Sequence, residues 1–275
     1  MTTGLGRRAV LSAAGVVLAM ALLSPYLVMF FTAVKPSAEL RVTPPQLLPT
    51  VWRFQNFLDV LGDPAFQAWL RVSLIVAGVS TALAVGAAIP AAYYTARHRF
   101  RGRSVFLFLV LVTQMFSPTA LVVGLYREFF AAGLVNTYSA LILTNAAFNL
   151  AFAVWILRAS FAAIPRETEE AAAVDGCGRV GTLVRIVLPL SRPGIVTAVI
   201  FAFIAAWNEY IVALTLMTSA DKRPLTVGIT SYVTAYVQHW DLLFAASVIA
   251  IVPVVVLFAL IEPHLVSGLT AGGVK

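Results

Sequence analysis

Six long apolar runs divide the chain: about Ala9 to Val34, Ala68 to Ala96, Ser104 to Leu125, Tyr138 to Phe161, Gly194 to Met217 and Leu242 to Pro263. Each comes close to or exceeds the roughly 20 residues that an α-helix needs to cross a bilayer. None alternates with the period of two that marks a strand, and an open sheet cannot satisfy its edge groups in lipid. The pattern predicts an all-α polytopic membrane protein with six transmembrane helices, a single transmembrane domain over residues 1–275. Pro90 and Pro118 fall inside spans and predict kinks. Arg7-Arg8 ahead of the first run resembles an export signal. The apolar stretch, however, continues through Pro25 to Phe31 with no small-x-small cleavage site after it, so it reads as an uncleaved anchor.

Composition supports this pattern. The 275 residues are 60% hydrophobic and 11% charged, against about 25% charged in soluble domains. The net charge of +7 does not point to nucleic acid, because the arginines sit between apolar runs, where the excess of cytoplasmic positive charge explains them. Arg97, Arg99, Arg101 and Arg103 give the strongest local bias. With six spans they place both termini inside, and 12 of the 19 basic residues then lie on the cytoplasmic side. Cys177 is alone, which excludes an internal disulfide and a cysteine-built zinc site. The three histidines lie in different segments and predict no metal site. Two outer loops exceed simple connectors: Lys35 to Gln67, and Thr218 to Asp241 with Tyr232, Tyr236 and Trp240.

One polar island interrupts the oil, the loop of about 162–192 between the fourth and fifth spans. Pro165 suits a first helical turn, and Glu167, Glu169 and Glu170 favour the positive end of the helix dipole. Asp175-Gly176 ends that helix. A second helix fits Gly178 to Val187, with Val180, Leu183, Val184 and Val187 as an apolar stripe and Leu188-Pro189 as its stop. Such a helix suits either a membrane surface or a groove on a partner protein.

The spacing of this island resembles the EAA loop of inner-membrane permease subunits of binding-protein-dependent ABC importers. That pattern is E-A-A, three residues, G, nine residues, I-x-L-P, and Glu170, Ala171, Ala172, Gly176, Ile186, Leu188 and Pro189 fall on it. Asp175 matches a frequent residue of the family, and Cys177 stands where Ala is usual. Trp207-Asn208-Glu209-Tyr210 and the tail from Gly268 to Lys275 are similar to features of the carbohydrate branch, in particular the smaller permease of maltose-type systems. The resemblance implies the type I importer permease fold in a bacterial inner membrane. It implies a heterodimer with a second permease, a dimer of cytoplasmic ATPase subunits docked on the loop, and an extracytoplasmic solute-binding protein probed by the loop from Thr218 to Asp241. Glu170, Ala171, Ala172, Asp175, Gly176, Cys177, Leu188 and Pro189 would carry the coupling, with Glu170 facing basic residues of the ATPase and the tail reaching into the ATPase dimer.

The sequence holds no G-x-x-x-x-G-K-[ST] phosphate loop, no G-x-S-x-G elbow and no H-E-x-x-H helix. No catalytic residue or cofactor is therefore expected on this chain, and ATP with its magnesium belongs on the partner ATPase. Gln114, Asn145, Asn149, Asn208 and Glu209 are polar residues inside spans, and they either line a solute path or join helices. The resemblance implies a sugar or related polyol as solute, with glycerol-phosphate-type solutes as an alternative. A stand-alone secondary carrier is the competing class, disfavoured by the absence of an evident repeat and by a single candidate carboxylate, Glu209.

Overall fold

The computed structural model describes residues 3–236 and 238–271, with side chains from Val10 to Leu260 apart from position 237. The predicted C-terminal tail from 272 onward, with Lys275, lies outside the described residues. The helices in chain order are α1 (Thr3–Ala33), α2 (Gln55–Gly62), α3 (Pro64–Arg97), α4 (Arg103–Thr113), α5 (Pro118–Ala131), α6 (Tyr138–Ala162), α7 (Arg166–Val174), α8 (Arg179–Thr182), α9 (Leu188–Leu190), α10 (Arg192–Trp207), α11 (Ile211–Leu216), α12 (Leu225–Gly228) and α13 (Trp240–Ala271). Among the described residues strand pairing is limited to one antiparallel bridge, Val233 with Gln238. Four helices are long and apolar enough to cross a membrane, and six spans result if each bent pair counts as one.

The chain forms two compact units, residues 1–66 with 229–252 and residues 67–228 with 253–275. In the first, the window of α1 that would cross the membrane is exposed throughout, which suits a helix whose neighbour is lipid. The chain after it is tied down rather than loose. Asn56, fully buried, donates through Nδ2 to the carbonyls of Ala33 at 2.8 Å and Lys35 at 2.9 Å, satisfying acceptors at the end of α1. The Lys35 ammonium donates to the carbonyl of Gln46, and Glu39 accepts from the backbone and hydroxyl of Thr50. The first predicted outer loop thus contains a helix, α2, and its own polar clasp.

The second unit packs α3, α6 and α10 through small residues. Ala88, Ala92, Ala153, Val154, Leu157, Phe161, Val187 and Ala198 form one buried cluster. Val72, Val76, Ala140, Leu141, Val212, Ala213, Leu216 and Val227 belong to another. Small residues let helix backbones approach where lipid supplies no hydrophobic drive. Gly194 shows the limit: a Cβ there would lie 2.3 Å from Ser160 Oγ.

Two predicted spans are broken. The third bends by 94° between α4 and α5. Pro118 opens α5, and Ser117 before it is extended at φ −73°, ψ 135°, the conformation that proline imposes on its predecessor. Pro118 was expected to kink this span, and the break it makes is complete. The fifth stops at Trp207 and restarts at Ile211. A further bend of 80° separates Arg179–Leu190 from α10.

Candidate functional site

The island folds as two short helices around a turn. Pro165 sits just before α7, with Glu167 and Glu169 in the first turn. The end of α7 is a Schellman motif. Gly176 takes a φ of +82°, its N–H donates to the carbonyl of Ala173 at 3.1 Å, and the N–H of Cys177 donates to that of Ala172 at 2.9 Å. Asp175 is the residue before this turn, and Gly178 immediately precedes α8.

The second helix differs from expectation. After one α-turn, Leu183–Val187 adopt π geometry, and α9 then runs through Leu188-Pro189 to Leu190. Proline at 189 lacks the N–H that would reach back four residues and crowds that carbonyl, so the wider turn accommodates it where a helix stop was predicted. The apolar stripe is divided as well. Val187 is fully buried and Leu183 and Leu188 pack against the same cluster, whereas Val180 is 75% and Val184 54% exposed. Val174, at the end of α7, is 89% exposed. The loop therefore presents one apolar face to its own core and a second outward.

Adjacent glutamates also divide. Glu170 is exposed. Glu169 turns inward, accepting from the Tyr93 hydroxyl at 2.9 Å and pairing with the Arg97 guanidinium at 2.5 Å, with side chains 15% and 8% exposed. Arg166 donates to the Arg97 carbonyl at 3.0 Å. These groups, with His98, Glu170 and Arg179, line a cavity of ≈ 220 Å³. Sequence reasoning assigned Glu169 to the helix dipole alone and missed Tyr93 and Arg97. Their spacing of four, which puts them on one helix face, is the signal that could have drawn attention to them. Ala172 and Thr182 are buried beneath the loop, and Cys177 is half-buried.

The polar span residues are only partly brought together. Glu209 lies in the break of the fifth span between α10 and α11, its Oε1 accepting from the N–H of Val212 at 2.7 Å and its Oε2 from that of Ala213 at 2.9 Å. A restarted helix exposes N–H groups that lipid cannot satisfy, and this carboxylate supplies their acceptors. Asn145 and Glu209 line one small cavity of ≈ 10 Å³ together with Ser73, about the size of one water. Asn145 donates to Leu141 and Asn149 to Asn145, each along α6. Gln114 lies elsewhere, at the α4–α5 break, and donates to the Phe148 carbonyl at 3.0 Å. Asn208 is exposed beside the break. Glu209 thus caps the start of α11 and Gln114 ties the α4–α5 break to α6, whereas the bonds of Asn145 and Asn149 stay within α6.

The segment after α11 is held by α3. Trp69 Nε1 donates to the Ala220 carbonyl at 3.1 Å, the Leu225 N–H donates to Ser73 Oγ at 2.7 Å, and Gly228 lies so close to the Trp69 ring that a Cβ would stand 2.1 Å from Cδ2. Asn136 bonds Ser219 from the other side. In the first unit, Tyr232 donates to Asp63 at 2.7 Å.

Comparisons with known proteins agree with this arrangement. The sulfoquinovosyl glycerol transport system permease protein SmoH of Agrobacterium fabrum is 37% identical over 253 residues, covering 92% of this chain and 89% of that protein. The trehalose/maltose transport system permease protein MalG of Thermococcus litoralis is 38% identical over 224 residues, 80% of this chain and 81% of that one. The diacetylchitobiose uptake system permease protein DasC of Streptomyces coelicolor is 34% identical over 260 residues, 94% of each. A chain in the crystal structure of a bacterial ABC transporter importing the acidic polysaccharide alginate superposes with a TM-score of 0.81 at 22% identity, covering 96% of this chain and 98% of that chain. This likeness establishes the fold as that of an ABC importer permease. The model of the binding-protein-dependent transport system inner membrane components matches residues 84–270, and the chain belongs to that family.

Proposed function

We propose that this permease forms half of the path for a sugar or related polyol, as a heterodimer with a second permease. A dimer of cytoplasmic ATPase subunits, holding ATP and magnesium, drives it through the loop of about 162–192, and an extracytoplasmic binding protein delivers the solute. Both termini lie in the cytoplasm, and residues 1–275 act as one transmembrane permease domain. The observation that carries this reading is the outward face of the loop. Glu170, Val174, Val180 and Val184 are exposed around a fixed glycine turn, an amphipathic arrangement suited to a groove on a protein. The solute class rests on the relatives, which are named for sulfoquinovosyl glycerol, trehalose/maltose and diacetylchitobiose. A second alginate-importer structure, with a TM-score of 0.67, includes a pentasaccharide-bound periplasmic protein, which supports delivery by such a partner.

The test is affinity isolation of the tagged chain from its native membrane, followed by uptake in vesicles. A second permease and an ATPase should co-purify, and uptake of the solute retained by the binding protein should require ATP. Uptake driven by an ion gradient with this chain alone would overturn the reading.

A further inference from the structure

Helix α3 is fastened at both ends by polar contacts. At one end Trp69 and Ser73 hold the segment from Ala220 to Leu225. At the other, Tyr93 and Arg97 share a face of α3 and both reach Glu169 in the first turn of α7, while Arg166 occupies the carbonyl of Arg97, one of the acceptors left open at a helix C-terminus. The residues from Trp69 to Arg97 lie in one uninterrupted helix, which at 1.5 Å per residue spans about 42 Å. Apolar helix faces can slide past one another. A charge pair with side chains 8% and 15% exposed cannot, because separating it leaves an uncompensated buried charge. The other ion pair among the described residues, Arg53 with Asp59, is 47% and 40% exposed and constrains little by comparison.

We propose that α3 is a strut that carries displacement between the segment 218–228 and the coupling loop, with Trp69 and Glu169 as its two joints. Glu169 is then a positioning residue that makes the loop move as one body with α3. Glu170, turned away by about 100° on the same helix, is left to meet the partner. The inference rests on the coupling reading above, since it supposes that force enters at one end of α3 and leaves at the other. It divides labour between two neighbouring glutamates and gives Trp69 a role at a distance from the loop.

Cys177, the single cysteine, lies on the loop and is half-buried, so a nitroxide attached there reports loop mobility in the permease alone. In lipid nanodiscs Glu169→Gln should raise that mobility at least threefold, and Glu170→Gln should leave it unchanged. In the complete reconstituted transporter, stimulation of ATP hydrolysis by solute-loaded binding protein should fall at least fivefold in both Trp69→Phe, which removes the indole donor together with its five-membered ring, and Glu169→Gln. Unstimulated hydrolysis and subunit association should stay within twofold. The charge swap Arg97→Glu with Glu169→Arg should recover at least half of the stimulation. Unchanged label mobility in Glu169→Gln, or full stimulation in Trp69→Phe, would overturn the strut. Loss of ATPase association in Glu169→Gln without recovery in the swap would make Glu169 a partner contact and overturn it as well. Should the wild-type chain fail to bind an ATPase at all, the coupling reading falls and the strut with it, whereas the label would still show whether Glu169 holds the loop.

Discussion

Gly176 and Gly178 stand two residues apart in the proposed coupling loop and should respond differently to the same substitution. A Cβ at either position meets nothing within 4 Å, so neither Gly→Ala change creates a clash inside the chain. The backbone separates them. Gly176 has a φ of +82°, whereas Gly178 lies at φ −70°, ψ 166°, where any residue is at ease. Left-handed geometry costs a side-chain-bearing residue roughly 1–2 kcal/mol, and at Gly176 that cost falls on a turn closed by just two backbone bonds, at 3.1 and 2.9 Å. Gly176→Ala should therefore shift the turn away from its native form by a factor of about 5–30. If the turned loop is the form that binds the ATPase, apparent affinity drops by up to that factor, because only the competent fraction binds. Gly178→Ala should change affinity less than about twofold, as expected of a surface change without strain. Gly176→Asn should fall between, since Asn tolerates the left-handed region better than other residues. The assay is titration of the purified ATPase onto permease variants in nanodiscs. Wild-type affinity in Gly176→Ala would refute the torsional argument. Equal losses at 176 and 178 would also refute it, by showing that added bulk at the interface is what matters.

Three further outcomes follow from the packing. Gly228→Ala places a Cβ 2.1 Å from Trp69 Cδ2, so thermal unfolding of the permease should report a loss of about 1–3 kcal/mol. Gly78→Ala, with nothing within 4 Å, should be neutral or stabilising, and equal melting of the two variants would contradict the close approach. Glu209→Gln keeps one acceptor for two N–H groups, and losing a bond to a charged group should cost about 1.5–3 kcal/mol in denaturant unfolding. An unchanged midpoint would mean the cap contributes nothing. Burial, and then the Asp63 carboxylate, push the Tyr232 hydroxyl above its ordinary pKa of 10.0. A group raised in the folded state contributes stability that is complete below pH 10.0 and is lost as pH climbs through the folded value. The melting advantage of wild type over Tyr232→Phe should therefore shrink above that pH, and a difference independent of pH would exclude this bond as its source.

The apolar runs made four long helices legible, because length and composition alone mark a lipid-spanning segment. They concealed the two breaks. Between Ser104 and Leu125 the run stays apolar overall despite Gln114 and Ser117, and Pro118 announces a kink without its size, which the extended Ser117 sets. At Asn208–Tyr210 the sequence shows one carboxylate, whose role depends on which N–H groups the fold turns toward it. The turn at Gly176 was legible because a local rule places glycine after a helix end. The partners of Glu169 were not, since Tyr93 and Arg97 lie more than 70 residues earlier and no local rule pairs them.

The chemistry of the proposed coupling loop is both ordinary and specific. A mobile amphipathic segment could bind a groove, but it would then lose conformational entropy on binding, and little displacement would pass through it. Here Val187 is seated in the core, Glu169 is clamped by α3, and the turn is closed by its own backbone. Those contacts order the loop before any partner arrives. What remains outside, Glu170 with Val174, Val180 and Val184, is a small surface on a rigid support. A rigid support transmits motion in both directions, so a partner docked on this surface, the ATPase in the proposed reading, would feel the position of α3 as surely as α3 feels the partner.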